Sequence, residues 1–271
     1  MIQSAFLPDG RLHLHHGPID LICGAEGPGG AAAFRRAVAR FDGLLEELVA
    51  DLPALRAPDA SVHGPVARVM AAAVAPFRPA FITPMAAVAG AVAEAVLAAM
   101  VAGPGISRAY VNNGGDIALH LAPGQRFTCA MAQGGRLSVG ARDGVRGIAT
   151  SGWRGRSWSL GIADAVTVLA PTAAMADAAA TMIANAVDLP GHPAIARRPA
   201  VQMQADSDLG LRLVTVGVSR LTGGEVARAL GRGVALAQTC RARGLIEGAA
   251  LFLQGELVID GALQLQEVEH V

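Results

Sequence analysis

The 271-residue sequence predicts an α+β fold in which antiparallel sheets pack against alanine-rich helices, and three observations carry that prediction. Short apolar runs separated by Gly, Pro and Asn turns come in blocks, the main ones at residues 2–23 and 109–151, as hairpins do. Helical patterns fall between these blocks instead of after every strand, which argues against a doubly wound parallel sheet. The AVILMFWYC group makes up 52% of the chain and charged residues 16%, so the interior is large and disorder is excluded. No sharp boundary or short repeat divides the chain, and one domain is expected over residues 1–271.

Residues 2–7, 11–16 and 19–23 read as a three-strand meander that turns at Pro8, Asp9 and Gly10 and again at Gly17 and Pro18. Residues 31–52 read as one helix, with Val38, Phe41, Leu44, Leu45 and Leu48 on one side and Arg35, Arg36, Asp42, Glu46 and Glu47 largely on the other. A short helix at 65–74 is stopped by Pro76 and Pro79. Thr83 before Pro84 supplies an N-cap and a proline at the first helical position, opening an apolar helix that runs to about residue 101. Glu94 near its middle marks it as a buried core helix and not a membrane span. Strands with Gly-rich turns fill 109–151 as an antiparallel sheet, and 164–170 adds another strand. A second alanine-rich helix at 173–187 ends at Pro190, Gly191 and Pro193. Residues 211–218 then read as a strand, 224–243 as a helix and 250–259 as a hairpin turning at Gln254 and Gly255.

Lys+Arg and Asp+Glu are both 22, which removes the broad electrostatic drive that nucleic-acid or anionic-membrane binding needs, and neither partner is expected. Every basic residue is Arg; without Lys there is no Schiff-base lysine and no phosphate-loop lysine. Cys23, Cys129 and Cys240 are odd in number and far apart, so a reducing cytoplasm is expected in place of a disulfide framework or CxxC site. The first residues lack a basic segment followed by an apolar run, and no signal peptide is expected.

The 173–187 helix is the most informative segment for chemistry. Its strongly polar positions before Asp188 are Asp177, Thr181 and Asn185, spaced by four and so stacked along one side, with Ala, Met, Ile and Val elsewhere. A solvent-facing stripe usually carries Lys, Arg, Glu or Gln. Short Asp, Thr and Asn side chains are poorer helix formers better suited to ligation, and a carboxylate beside a hydroxyl is a hard-oxygen arrangement compatible with magnesium that also touches phosphate. In VNNGGDI (111–117) paired glycines interrupt a strand, as a hairpin turn does, and would also let a flat ligand approach the backbone. GIATSGWRGRSWS (147–159) reads as a surface loop, or as one that stacks rings on Trp153 and Trp158 and pairs phosphate with Arg154 and Arg156. His13, His15 and His16 read as an exposed histidine strand in preference to a metal site, and Gly24, Gly27, Gly29 and Gly30 as a plain connection, since they miss GxGxxG spacing.

Taken in order, VNNGGDI, GIATSG and ADAAAT resemble the signature blocks of the ApbE-like superfamily, whose best known members are FAD:protein FMN transferases. The longer strings TPMAAVAGAVAE, GIATSGWRGRSWSLGIADAVTVLAP and ADAAATMIANAV are similar to an uncharacterised branch of it. The resemblance covers most of Thr83 to Val187, and more loosely the meander before it. It implies an ApbE-like fold, with magnesium held by Asp177 and Thr181 and a flavin, FAD or FMN, beside Asn113, Gly114, Gly115, Asp116, Thr150, Ser151, Gly152 and Asn185. Transferases carry a histidine-containing HxxDPxxG element before the last block. Here that interval is RSWSLGIADAV and no histidine lies between His120 and His192, so the resemblance implies a retained pocket without protein FMN transfer. Ser157, Ser159 and Asp164 occupy the altered interval and are the residues left to carry any new catalysis there; the plainer reading of all three is loop and strand-end hydrogen bonding. The sequence thus leads to a cytoplasmic protein acting on a flavin or other phosphate-bearing small molecule with magnesium. The alternatives are a non-catalytic flavin or nucleotide binder and a structural subunit whose apolar helices form a homo-oligomer.

Overall fold

Glycine at positive φ sets the first turns. Gly10 (φ 81°) and Gly17 (φ 58°) fold the chain into β1 (Gln3–Phe6), β2 (Leu12–His16) and β3 (Ile19–Glu26). The computed structural model describes residues 1–131, 134–261, 263 and 265–266. The helix expected over 31–52 is three pieces, α1 (Gly30–Phe41), α2 (Leu44–Ala50) and α3 (Leu52–Leu55). The first break falls at Gly43, whose φ of 79° ends a helix and cannot continue one. After α4 (Pro65–Val74), Pro84–Ala87 is a 3-10 turn leading into α5 (Val88–Val101). Thr83 does not cap it: its hydroxyl donates to the Asp208 carboxylate, and this longer-range partner displaces the local one.

The second block gives β4 (Arg108–Asn113), β5 (Asp116–Leu121), β6 (Arg126–Ala130), β7 (Arg136–Gly140), β8 (Gly147–Ser151) and β9 (Ala165–Ala170). The rest comprises α6 (Ala173–Ala186), β10 (Ile195–Pro199), α7 (Ala200–Met203), β11 (Leu213–Val218), α8 (Gly223–Ala242), β12 (Gly248–Leu253), β13 (Glu256–Gly261) and β14 (Leu265–Gln266). Nine strands form one antiparallel sheet in the order β1-β2-β3-β4-β5-β8-β9-β12-β13. The single sheet expected over 109–151 is divided. β6 and β7 leave it and pair with β14 as a separate three-stranded sheet, while β10 and β11 form a hairpin of their own.

These sheets and helices make three layers. On one face of the large sheet, Leu14, Leu21, Val111, Ala149 and Val168 pack against α1, α5, α6 and α8, and α4 packs on α5 and α6. On the other face, Ile117, Leu119, Ile148 and Leu169 pack against Phe127, Leu137 and Val139 of the small sheet. Buried between the layers, β9 has all six residues covered, which explains its unbroken apolar run. The 84–101 segment is long and apolar enough to cross a membrane (mean hydropathy 1.8), yet half of it is buried, and α5 packs on α1, α6, β4 and β5. Glu94 has a structural use: its carboxylate accepts the Ala174 N–H (2.8 Å) at the start of α6.

Candidate functional site

The β4–β5 turn lies at the edge where helices, large sheet and small sheet meet. Asn113 and Asp116 pair across it, with Gly114 (φ 65°) and Gly115 (φ 117°) between them. Asn112 Oδ1 accepts the Gly115 N–H (2.8 Å), and Asn113 Nδ2 donates to the Ala89 carbonyl (3.2 Å), tying the turn to the start of α5. A β-carbon at Gly114 would lie 2.0 Å from an Arg156 guanidinium nitrogen, so glycine there lets Arg156 lie across the turn.

Asp116 Oδ1 accepts the Thr150 N–H (3.0 Å) at the end of β8, and the Thr150 hydroxyl meets that of Thr167 (2.9 Å). From the helix layer, α6 directs Asp177 toward the same point. Its Oδ2 accepts the Gly90 N–H (3.0 Å), and Thr181 follows one turn later. The result is a cleft of about 690 Å³ lined by Asn113, Gly114, Gly115, Asp116, Thr150, Ser151, Gly152, Ser157, Asp177 and Thr181. Arg156 and the apolar Met131, Leu137 and Ile148 also line it.

Three candidates from the sequence do not line this cleft. Asn185 continues the stripe of α6, but its Oδ1 accepts the Ser159 hydroxyl (3.1 Å) and the Leu160 N–H (2.8 Å). Ser159 is 3% exposed and also accepts the Gly161 N–H (3.1 Å), so the two side chains fasten the loop to the helix. Asp164 is occupied by three donors: Trp153 Nε1 (3.1 Å), Arg154 Nε (2.7 Å) and the Gln254 N–H (2.6 Å). Ser157 alone of the three catalytic candidates reaches the cleft, and of the loop's Trp and Arg residues Arg156 lines it.

The two aspartates influence each other. Burial pushes the Asp116 carboxyl up to about 7, against the opposing pull of the Thr150 N–H and Arg156. Burial and then the Asp116 charge push Asp177 well above the carboxylate range, opposed by the Gly90 and Ala89 backbone. Two half-buried carboxylates repel when both are ionised; a cation between them relieves that. Asp116, Asp177 and the Thr181 hydroxyl are hard oxygen donors of the kind magnesium takes, with phosphate and water completing its shell. Among the described residues no group of three or more His, Cys, Asp or Glu gathers to hold a metal. Cys129 also borders the cleft, its thiol pushed up to about 11 by burial and hence protonated at neutral pH.

Sequence reasoning missed two features. It placed Asp116 beside the ligand without seeing that Asp177 is its partner. It also named no site residue after about residue 195, whereas Gln204, Asp206 and Asp208 border a second chamber next to Asp116 and Asp177. The weaker motifs stand apart from the cleft: His13 Nε2 meets Asp20 (3.2 Å), and the His16 ring is half-buried against Phe41 and not exposed as expected. Gly24 lies within β3 and Gly30 opens α1, and Gly27 and Gly29 lie where a β-carbon would meet the backbone of Gly105 and Pro104 at 2.3 Å.

The family described as AbpE bacteria matches residues 4–259, nearly the whole chain. The chain belongs to the ApbE-like superfamily. Relatives within it carry the name UPF0280 protein. That of Methanopyrus kandleri is 42% identical over 125 residues, 44% of this chain and 48% of that protein. That of Methanothrix thermoacetophila is 38% identical over 142 residues, 51% of this chain and 56% of that protein. That of Methanosphaerula palustris is 36% identical over 173 residues, 61% and 66% respectively. The chain thus spans about half the length of the curated relatives it matches first. The ApbE-like blocks meet in space: the GGD turn, the ATSG strand end and the ADAAAT helix face line one cleft.

Proposed function

We propose that this chain is a cytoplasmic magnesium-dependent transferase acting on a flavin, FAD or FMN, or on another phosphate-bearing nucleotide-like cofactor, by a reaction other than protein FMN transfer. The observation that carries this reading is the meeting of Asp116, Asp177 and Thr181 with Arg156 and the Gly114–Gly115 turn at one cleft wall. Arg156 is a fork for phosphate oxygens, and Gly115, where a β-carbon would meet nothing within 4 Å, leaves space for a phosphate chain to approach the backbone. Asp116, Asp177 and Thr181 would hold the magnesium, which supplies neutralisation and polarisation of the phosphate when bound. Met131, Leu137 and Ile148 give an apolar wall suited to a flat ring.

A second reading, a flavin or nucleotide binder without turnover, is favoured by the engagement of Ser159 and Asp164 in structural hydrogen bonds. Mass spectrometry of the small molecule that copurifies with the native protein, followed by titration of FAD with and without magnesium, tests the binding common to both readings. Magnesium-dependent retention of a phosphate-bearing ligand is the expected result; indifference to FAD, FMN and nucleotides would sink it. Release of a phosphate-bearing product on incubation separates transferase from binder.

A further inference from the structure

The cleft has a second chamber behind its polar wall. Asp116, Ser151, Arg156, Ser157, Asp177 and Thr181 line both the 690 Å³ cleft and a neighbouring space of about 280 Å³. The far side of that smaller space is the loop between α7 and β11, which contributes Gln204, Asp206, Ser207 and Asp208, with Arg56 and Trp158 beside it. Side-chain hydrogen bonds hold the loop. Arg56 bonds Asp206 Oδ2 (2.6 Å), Gln204 bonds Asp206 Oδ1 (3.0 Å), and Thr83 donates its hydroxyl to Asp208 Oδ2.

We infer that this smaller chamber is the acceptor subsite of the transferase proposed above, and that it takes a small molecule bearing hydroxyl or ammonium donors in place of a protein side chain. The inference rests on that transferase reading. A phosphorus atom held at the shared wall is approached from one chamber by the nucleotide that carries it. The other chamber shares that wall and so gives a nucleophile a place next to the same phosphorus. An ionised carboxylate offers about four acceptor positions. Asp208 has one taken and Asp206 two, so both present unused acceptors, and Arg56 is committed to Asp206. These carboxylates attract hydroxyl and ammonium donors. The volume lies at the lower end for small-molecule sites, and Met85, Val88 and Leu209 give the chamber an apolar side on which the carbon skeleton of such a molecule can rest.

With FAD as donor, the acceptor oxygen forms a new bond to the flavin-side phosphorus. The bond from that phosphorus to the bridging oxygen breaks and its electron pair leaves on AMP, while the acceptor's proton is released to solvent. The test incubates the full chain with FAD, magnesium and either glycerol or ethanolamine, with a Ser/Thr-containing peptide in parallel, and follows AMP and the FMN diester by mass spectrometry. AMP and the small-molecule diester should rise together. Asp208→Asn, which can still accept from Thr83, should raise the acceptor KM about tenfold or more without changing FAD affinity. Transfer to the peptide alone, FAD bound with no AMP released, or an unaltered KM in both Asp208→Asn and Asp206→Asn would each overturn this inference. Failure of the wild-type chain to bind FAD with magnesium would remove the underlying reading, a different and separately visible result.

Discussion

Asp177 accepts a backbone N–H and faces a second carboxylate, so its truncation changes two things at once. Asp177→Ala strands the Gly90 N–H at a cost of about 1–3 kcal/mol, whereas Asp177→Asn keeps an oxygen acceptor and removes only the charge. The Asn variant should therefore fold normally and lose magnesium-dependent ligand affinity by an order of magnitude or more in calorimetric titration; unchanged affinity would take Asp177 off the metal. Thr181→Val keeps the side-chain shape and deletes the hydroxyl, and a several-fold weakening is expected in the same titration. Both residues were legible because short polar side chains at a spacing of four stand out in an Ala and Met helix. Asn185 was misread because one more turn carries the stripe about 5.4 Å along the axis, out of the cleft and under the 157–161 loop. Asp164 keeps the plainer of its two readings, strand-end hydrogen bonding, and the donor that sequence could not show is Gln254, distant in the chain.

The α5–α6 contact sets the position of Asp177, and it depends on one residue without a side chain. A β-carbon at Gly90 would sit 2.2 Å from the Ala173 carbonyl oxygen, a backbone atom that can move only with its helix. Gly90→Ala should push the helices apart, cost about 1–3 kcal/mol and loosen the Gly90 bond to Asp177. A fall in Tm together with weaker magnesium binding is the expected pair of results, and a Tm equal to wild type would refute the packing argument. The elements themselves were largely readable, since the meander, α4, α6, α8 and the last hairpin follow from turn residues and periodicity. What alternation could not convey is which sheet a strand joins: β6 and β7 look like continuations of β5 and instead build another layer. β10 and α7 escaped notice because IARRP has no clean alternation and a register shift at Ala196 and Arg197 interrupts it.

On the scale of the whole molecule, the paired carboxylates make stability depend on pH in a direction opposite to that of an ordinary salt-bridged acid. Asp116 titrates at about 7 when folded against an ordinary 3.8, and Asp177 is raised as well. Between those pH values the folded chain keeps protons that the unfolded chain has released. The associated stability is thus fully present below about pH 4 and is lost as pH rises through about 7. For Asp116 alone the difference is on the order of 4 kcal/mol. Asp116→Asn removes that titration and most of the repulsion on Asp177, since Asp116 is the charge that raises it. Metal-free wild type should therefore lose unfolding free energy from pH 5 to pH 8 relative to Asp116→Asn, measured by denaturant titration at each pH. Magnesium, if it binds the ionised pair, should restore the wild type at pH 8 and leave the variant little changed, because only the wild type has both charges to neutralise. Parallel pH profiles for the two proteins would mean that the aspartates do not share a buried site, and a magnesium effect of equal size in both would place the metal elsewhere.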